Sequence, residues 1–249
     1  MLVENERGHY AFLTGIAPYS SGAVALPGYE IVHAHFQIPV HWEKGFGRII
    51  EHLKDEGQDR FALCGVELRC PEPYSMDGFI AFNEGYCAVL EELGLYMDDM
   101  NPVARTNVSP EIGAPGEPAL YGFSYTVPAQ GDVGKTFVAA GAGELNSPKL
   151  ISEAIIRRGD LSLEAMHEKA TYVMKVMEKR MTGLGGSWEE VTAADVYTVH
   201  PVIDVVEDVV LPKMGASAIH GVHWFHARPP IVEIEFEMDL RGVRKEVVL

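Results

Sequence analysis

The stretch "NPVARTNVSP" (residues 101–110) places a single arginine, Arg105, in a segment that reads as a short strand between Pro102 and Pro110. Val103 and Val108 are β-branched, which suits a strand, and no obvious acidic partner follows until Glu111. A guanidinium can grip a carboxylate through two parallel hydrogen bonds, which the point charge of lysine does less well. Arg105 therefore reads either as a ligand-binding cation or as a solvated or structural arginine. A second constellation is "HGVHWFHARPP" (220–230). On a strand, His220, Val222, Trp224 and His226 share one face, and His223 and Phe225 the other. Histidine suits proton transfer near neutral pH. Two readings stand: a ligand pocket built from His220, Trp224 and Arg228, and a core strand anchored by Trp224. His33 and His35 add to the histidines, but no cysteine or carboxylate stands at metal-ligand spacing beside them, so no metal is expected. No cofactor-binding signature is found either; "GAGELNSP" (141–148) lacks the lysine of a phosphate-binding loop. Cys64, Cys70 and Cys87 read as free thiols, with Cys64 and Cys70 on one strand face.

The elements that must position these residues follow from periodicity. Strands are expected over 30–40, 60–70, 103–108 and 119–127, with helices over 41–57 and 76–94. The first helix places Trp42, Phe46, Ile49, Ile50 and Leu53 on one side and ends on Gly57. The order then repeats: a strand over 135–143, a long helix over 162–185, a strand over 189–199, a shorter helix over 202–215, and strands over 218–227 and 230–240. Each half thus runs β–α–β–α–β–β, which points to internal duplication. The Gly- and Pro-rich 127–134 segment is the candidate linker. Two domains, 1–128 and 129–249, are expected. Such an order packs as a mixed sheet with its helices on one face. The bare face then calls for association, either between chains or between the two halves.

The bulk numbers exclude several partners. A chain of 249 residues with a net charge of −16 repels a phosphate backbone, and its basic runs are short, so nucleic acid is a poor partner. No apolar run is long enough to span a bilayer, and the N-terminus has no signal-peptide pattern, so no membrane partner and a cytoplasmic location are expected.

Specific strings go further. "IAPYSSGAV" (16–24), "GYEIVHAHFQIP" (28–39), "FIAFNEGY" (79–86) and "VARTNV" (103–108) resemble successive motifs of the YjgF/Rid family of imine and enamine deaminases. "TFVAAGAGEL", "LGGSWEEVTAADVYTV" and "PPIVEIEFEMD" resemble the same family in the second half. The resemblance implies two tandem α+β domains of the chorismate-mutase-like (YjgF/Rid) type, each a mixed sheet with two helices on one face. It also implies a homotrimer of two-domain chains, a pseudo-hexamer with bare sheet faces inward. Arg105 falls on the family's carboxylate-binding arginine, Tyr19 on its site tyrosine and Asn83 on the helix asparagine lining the cleft. Asn107 stands where the family carries cysteine, and Gly141 on the family's strand glycine, with Ala140 in place of serine.

The pattern also departs from the family. The first-half strand "ALYGFSYTV" has no carboxylate, and His35-Phe36 replaces the Ser-Gly that opens the pocket. The second half keeps a glutamate, Glu233 in "VEIE", but has no arginine in "SAIHGV", where His220 is nearest. In a trimer each ring would hold one kind of half, placing Arg105 and Glu233 apart. The resemblance implies an imine or enamine deaminase acting on a small carboxylate-bearing substrate, a 2-imino acid or an aminomuconate-like acid. Arg105 would anchor the carboxylate, Glu233 position water, and Tyr19 and Asn83 line the pocket. The alternative is a degenerate scaffold that binds a small acid without turnover. A ribonuclease reading comes third, and the negative charge counts against it.

Overall fold

The computed structural model describes every residue except Asp132, Val133 and Pro148. Part of the expected 127–134 linker and the last residue of "GAGELNSP" therefore lie outside the described residues. In chain order, the short strands β1 (Leu2–Asn5), β2 (Tyr10–Leu13) and β3 (Gly22–Ala25) precede β4 (Tyr29–His41), α1 (Trp42–Asp55) and β5 (Leu63–Arg69). Then come α2 (Met76–Glu92), β6 (Ala104–Pro110), β7 (Ala119–Pro128), β8 (Phe137–Gly143) and α3 (Leu163–Gly183). After β9 (Ala193–Tyr197), the irregular helical stretch 203–214 has a π-helical turn at Val206–Val210. The chain closes with β10 (His223–Phe225), β11 (Ala227–Arg228), β12 (Glu237–Gly242) and β13 (Glu246–Val248).

The helices form where periodicity and caps agree. The Ser75 hydroxyl accepts from the Gly78 N–H at the start of α2, and Ser162 does the same for Ala165 at the start of α3. After α1 the chain leaves through Gly57, whose φ of 72° is a left-handed conformation that glycine adopts without penalty.

The strands form two sheets, one of seven in the order β1-β2-β3-β8-β12-β9-β10 and one of six in the order β11-β6-β5-β7-β4-β13. Both sheets draw on both ends of the chain. β3 pairs antiparallel with β8 (Gly22 opposite Ala139), so the N-terminal strands extend the sheet built mostly from later residues. β13 pairs parallel with β4 (Val247 opposite Ala34), and β11 pairs with β6, so late strands complete the earlier sheet. This exchange corrects the expected fold class: the chain is built on two large sheets, each drawing strands from both ends of the sequence, and not on two tandem chorismate-mutase-like domains. The residues before 26 carried no strand expectation, so the exchange was invisible to periodicity.

Packing makes four layers. α1 and α2 bury Phe46, Ile49, Leu53, Tyr86 and Leu90 against Val66, Leu68 and Phe123 of the six-stranded sheet. On the far side, α3 buries Met166, Ala170, Val173, Met177 and Met181 against Phe137, Val196 and Leu240, and the 203–214 stretch adds Val205 and Val210. Between the sheets, Tyr10, Phe12, Ala23, Ile31, Cys64, Ala104, Val138, Ala140 and Val243 form a third apolar cluster. The inner sheet faces thus cover each other within one chain, and this removes the bare face that called for association between chains.

β12 sets the chemistry of the inner layer. Met238 and Leu240 pack toward α3, whereas Glu237, Asp239 and Arg241 alternate with them and face the other sheet. Arg241 Nη1 bridges Asp195 (2.8 Å), Glu67 (3.2 Å) and Asp239 (3.4 Å). Glu67 also meets His33 Nε2 at 2.9 Å, and Thr106 Oγ1 donates to Asp239 at 2.7 Å. These buried charges are tied to one another across the sheets, as burial requires.

The 218–227 strand expectation fails over its first half. Gly215–His220 is a 3₁₀ segment, and strand begins only at His223. The expected 230–240 strand likewise starts at Glu237, because Glu233 sits at a φ of 72°, outside any strand conformation.

Candidate active site

A cavity of about 570 Å³ opens where β6, β8 and β12 meet α2, α3 and the loop after β2. Its polar wall comes from both halves of the chain: Tyr19 from the loop, Arg105 and Asn107 from β6, Arg180 from α3 and Glu237 from β12.

Arg105 is 3% exposed. Its Nη2 donates to Asn83 Oδ1 at 2.6 Å, and its guanidinium lies 4.6 Å from the Tyr19 ring and 4.5 Å from the Tyr86 ring. Asn83 and Tyr86 are three apart on α2 and so share the face that meets β6. Arg105 Nη1 has no hydrogen-bond partner among the described residues. Asn107, two residues along the strand and on the same side, is also buried, and neither its Oδ1 nor its Nδ2 has a hydrogen-bond partner among the described residues.

Arg180 Nη1 donates to the carbonyls of Ala140 (2.6 Å) and Gly141 (2.9 Å), which pins the guanidinium along β8. Glu237 reaches the same glycine from β12: a Cβ at Gly141 would run into Glu237 Oε1. Burial and the neighbouring Asp239 charge push the Glu237 carboxyl up to about 8, against the opposing pull of Arg180 and Arg105. At neutral pH the group is therefore chiefly protonated. The same electrostatic neighbourhood includes Tyr19, whose hydroxyl is raised by burial, held back by Arg105 and Arg180, and raised further by Glu237.

Glu237 is delivered by a buried support. The Glu144 carboxylate accepts from the backbone N–H groups of Glu235 (2.7 Å) and Phe236 (3.0 Å). Lys169 Nζ donates to Glu144 Oε1 (3.0 Å) and to the Ile156 carbonyl (2.8 Å), and both charged side chains are fully buried. Lys169→Met leaves Glu144 without its counter-charge. It is expected to cost roughly 3–5 kcal/mol, read by denaturant unfolding.

Of the residues singled out in the sequence, Tyr19, Arg105, Asn107 and Gly141 line this cavity, and Asn83 stands behind Arg105. The others stand elsewhere. Glu233 is on the surface, where Arg158 Nη2 and Nε donate to its Oε2 at 2.7 and 3.0 Å. His35 stacks on Tyr121 with ring centroids 5.6 Å apart. His220 is exposed in the 3₁₀ segment, Trp224 is half-exposed with its indole N–H donating to the Thr198 carbonyl, and Arg228 pairs with Glu111 at 2.7 Å. Glu233→Gly relieves a left-handed non-glycine residue and removes only an exposed ion pair. Turnover is expected to stay within about threefold of the parent in a steady-state assay, a span of under 1 kcal/mol.

Sequence reasoning missed Glu237 and Arg180. Glu237 did carry a signal: in "FEMDLRG" charged and apolar residues alternate, which places Glu237, Asp239 and Arg241 on the face opposite Met238 and Leu240. Arg180 carried none, since one arginine in "VMEKRMTG" looks like any solvated helix residue. Among the described residues, no group of three or more His, Cys, Asp or Glu side chains is placed to hold a metal ion. No helix among them is long and apolar enough to cross a membrane.

Residues 2–247 match a family described as 2-aminomuconate deaminase CnbZ. The chain belongs to this family. The CnbZ assignment agrees with a 36% identity over 244 residues to 2-amino-5-chloromuconate deaminase of Comamonas testosteroni, a match spanning 97% of this chain and 96% of that protein. Among solved structures, a chorismatase superposes with a TM-score of 0.52 at 12% identity, over 92% of this chain and 79% of that one. At that identity the likeness concerns the fold alone. A cyanuric acid hydrolase reaches a TM-score of 0.42 at 14% identity, over 88% and 69% of the two chains, which is too low to carry an argument. Membership of CnbZ, together with the chorismatase-like fold, overturns the YjgF/Rid assignment suggested by the short motifs.

Proposed function

We propose that this chain is a hydrolytic deaminase of 2-aminomuconate-like substrates, conjugated enamines with a carboxylate at each end. The observation that carries the reading is the convergence of two arginines and one protonated carboxyl, Arg105, Arg180 and Glu237, on a single cavity. Two cations suit a dicarboxylate, and the volume lies within the range that holds small organic ligands. The names borne by the family and by the Comamonas relative point to the same substrate class.

The chemistry follows from the enamine. Its carbon is nucleophilic and its C–N bond resists water until that carbon is protonated. Glu237 gives its proton to the carbon; the C=C electron pair forms the new C–H bond, and the nitrogen lone pair makes the C=N bond of an iminium. The Glu237 carboxylate then takes a proton from water as the water oxygen adds to the iminium carbon. From the resulting carbinolamine, Glu237 passes that proton to the nitrogen, ammonia leaves, and the hydroxyl proton returns to Glu237 as the carbonyl forms. The sum is enamine plus water giving 2-oxo acid plus ammonia, with Glu237 restored. A group near pKa 8 is matched to both directions of transfer at neutral pH. Arg105 and Arg180 each hold one carboxylate, and Tyr19 lies over Arg105 at the cavity wall.

The test is ammonia release from 2-aminomuconate by the purified protein, followed alongside loss of the conjugated chromophore. One ammonia per substrate, faster than spontaneous hydrolysis, is expected. Ligand binding with no release above the spontaneous rate would overturn the reading and leave a small-acid binding protein.

A further inference from the structure

The wall that carries Arg105 holds three polar atoms with no hydrogen-bond partner among the described residues: Arg105 Nη1, Asn107 Nδ2 and Asn107 Oδ1. A buried donor or acceptor left unpaired carries the full cost of its lost hydration. An amide is unusual in offering a donor and an acceptor side by side. Arg105 Nη1 and Asn107 Nδ2 both ask for an acceptor, whereas Asn107 Oδ1 asks for a donor. A carboxylate with an amino group on the adjacent carbon supplies both within one small fragment. Neither a plain carboxylate nor a 2-oxo acid has the donor.

We propose that Asn107 is a specificity-determining residue that recognises the 2-amino-carboxylate end of the substrate, its Oδ1 accepting from the amino N–H and its Nδ2 joining Arg105 on the 1-carboxylate. This rests on the deaminase reading and adds an orientation to it: the amine-bearing end lies at β6 and the distal carboxylate at Arg180 on α3. It also favours release of the product once ammonia is lost, because the 2-oxo product leaves Oδ1 unpaired again and binds less well. The three atoms are closed off from solvent in the free protein, so binding brings a side-chain rotation in this wall. Tyr19, whose ring lies 4.6 Å from the Arg105 guanidinium, is placed to make it.

The test uses two stable six-carbon diacids that differ only in the amine, 2-aminohexanedioate and hexanedioate, titrated calorimetrically into the parent protein and into Asn107→Leu and Asn107→Ser. The parent is expected to prefer the amino acid by roughly tenfold or more, about one hydrogen bond's worth, and both variants to lose that preference. Asn107→Leu should also raise the unfolding temperature of the free protein, since it removes two unpaired polar groups. A parent with no preference, a parent that binds neither diacid, or variants that keep the preference would each overturn the proposal. Because this readout is binding alone, its failure is distinct from a failure of the deaminase reading, which shows as absent ammonia release in the parent.

Discussion

Glu237→Gln is expected to abolish deamination while leaving the fold intact. Glutamine has the shape of the protonated carboxyl, which is the form that predominates at neutral pH, so the packing against Gly141 is kept. It cannot give or take the proton. General acid–base groups contribute about 10²–10⁴-fold, and Glu237 serves several proton transfers, so a loss of at least roughly 10³ in kcat is expected by continuous assay. The variant has a second signature in stability. The unfolded carboxyl titrates near 4.5 and the folded one near 8, so between these values the folded state binds more protons than the unfolded state. The Glu237 contribution is therefore fully present below the lower value and is lost as the pH rises through the upper one. Glutamine does not titrate, so the variant should gain stability relative to the parent as the pH is raised from about 4.5 to about 8, with no further gain above that, read by denaturant unfolding at both ends of the range.

Arg105→Lys is expected to lower kcat/KM by about 10–150-fold, the worth of one charge-assisted hydrogen bond of about 1.5–3 kcal/mol. Lysine keeps the charge but loses the planar fork, so it cannot bond Asn83 and a substrate carboxylate in the geometry that Arg105 offers. Arg105→Met should lose more activity than the lysine variant, yet remain folded, because methionine packs against Tyr19, Phe79 and Tyr86, which now flank the guanidinium. Most of the loss should appear in KM if Arg105 binds ground state and transition state alike. A lysine variant of full activity would place the carboxylate elsewhere.

Local structure was largely legible in the sequence because amphipathic periodicity reports which face is buried. The spans of α1, α2, α3 and β4 through β8 follow from it, and so does the burial of Phe46, Ile49, Leu53, Val173 and Met177. Pairing between distant strands leaves no such trace. β1 to β3 are short, and their partner β8 lies more than a hundred residues on, so nothing in 1–25 announces which sheet they extend. The site divides in the same way. Arg105, Tyr19, Asn83 and Asn107 stood in strings that caught the eye, whereas Arg180 is one cation on a long helix. The carboxyl that lines the cavity is Glu237, four residues beyond Glu233. Glu233 looked like a strand residue in "VEIE", but its left-handed backbone turns it out to Arg158, and the strand that carries a carboxyl into the cavity starts at Glu237. Glu233 lies outside the cavity that Arg105 lines, whereas Glu237 enters it. Once the inner sheet faces meet inside one chain, β6 of one sheet and β12 of the other line a common cavity.

The most direct measurement of the central claim, that Glu237 protonates and then hydrates a bound enamine, is the pH dependence of kcat/KM on 2-aminomuconate from about pH 6 to about pH 10. A rate that falls as the pH rises through about 8, with the remaining activity of Glu237→Gln lacking that limb, is the predicted result. A rate that is flat across the range, or a glutamine variant that keeps both the activity and the limb, would contradict it.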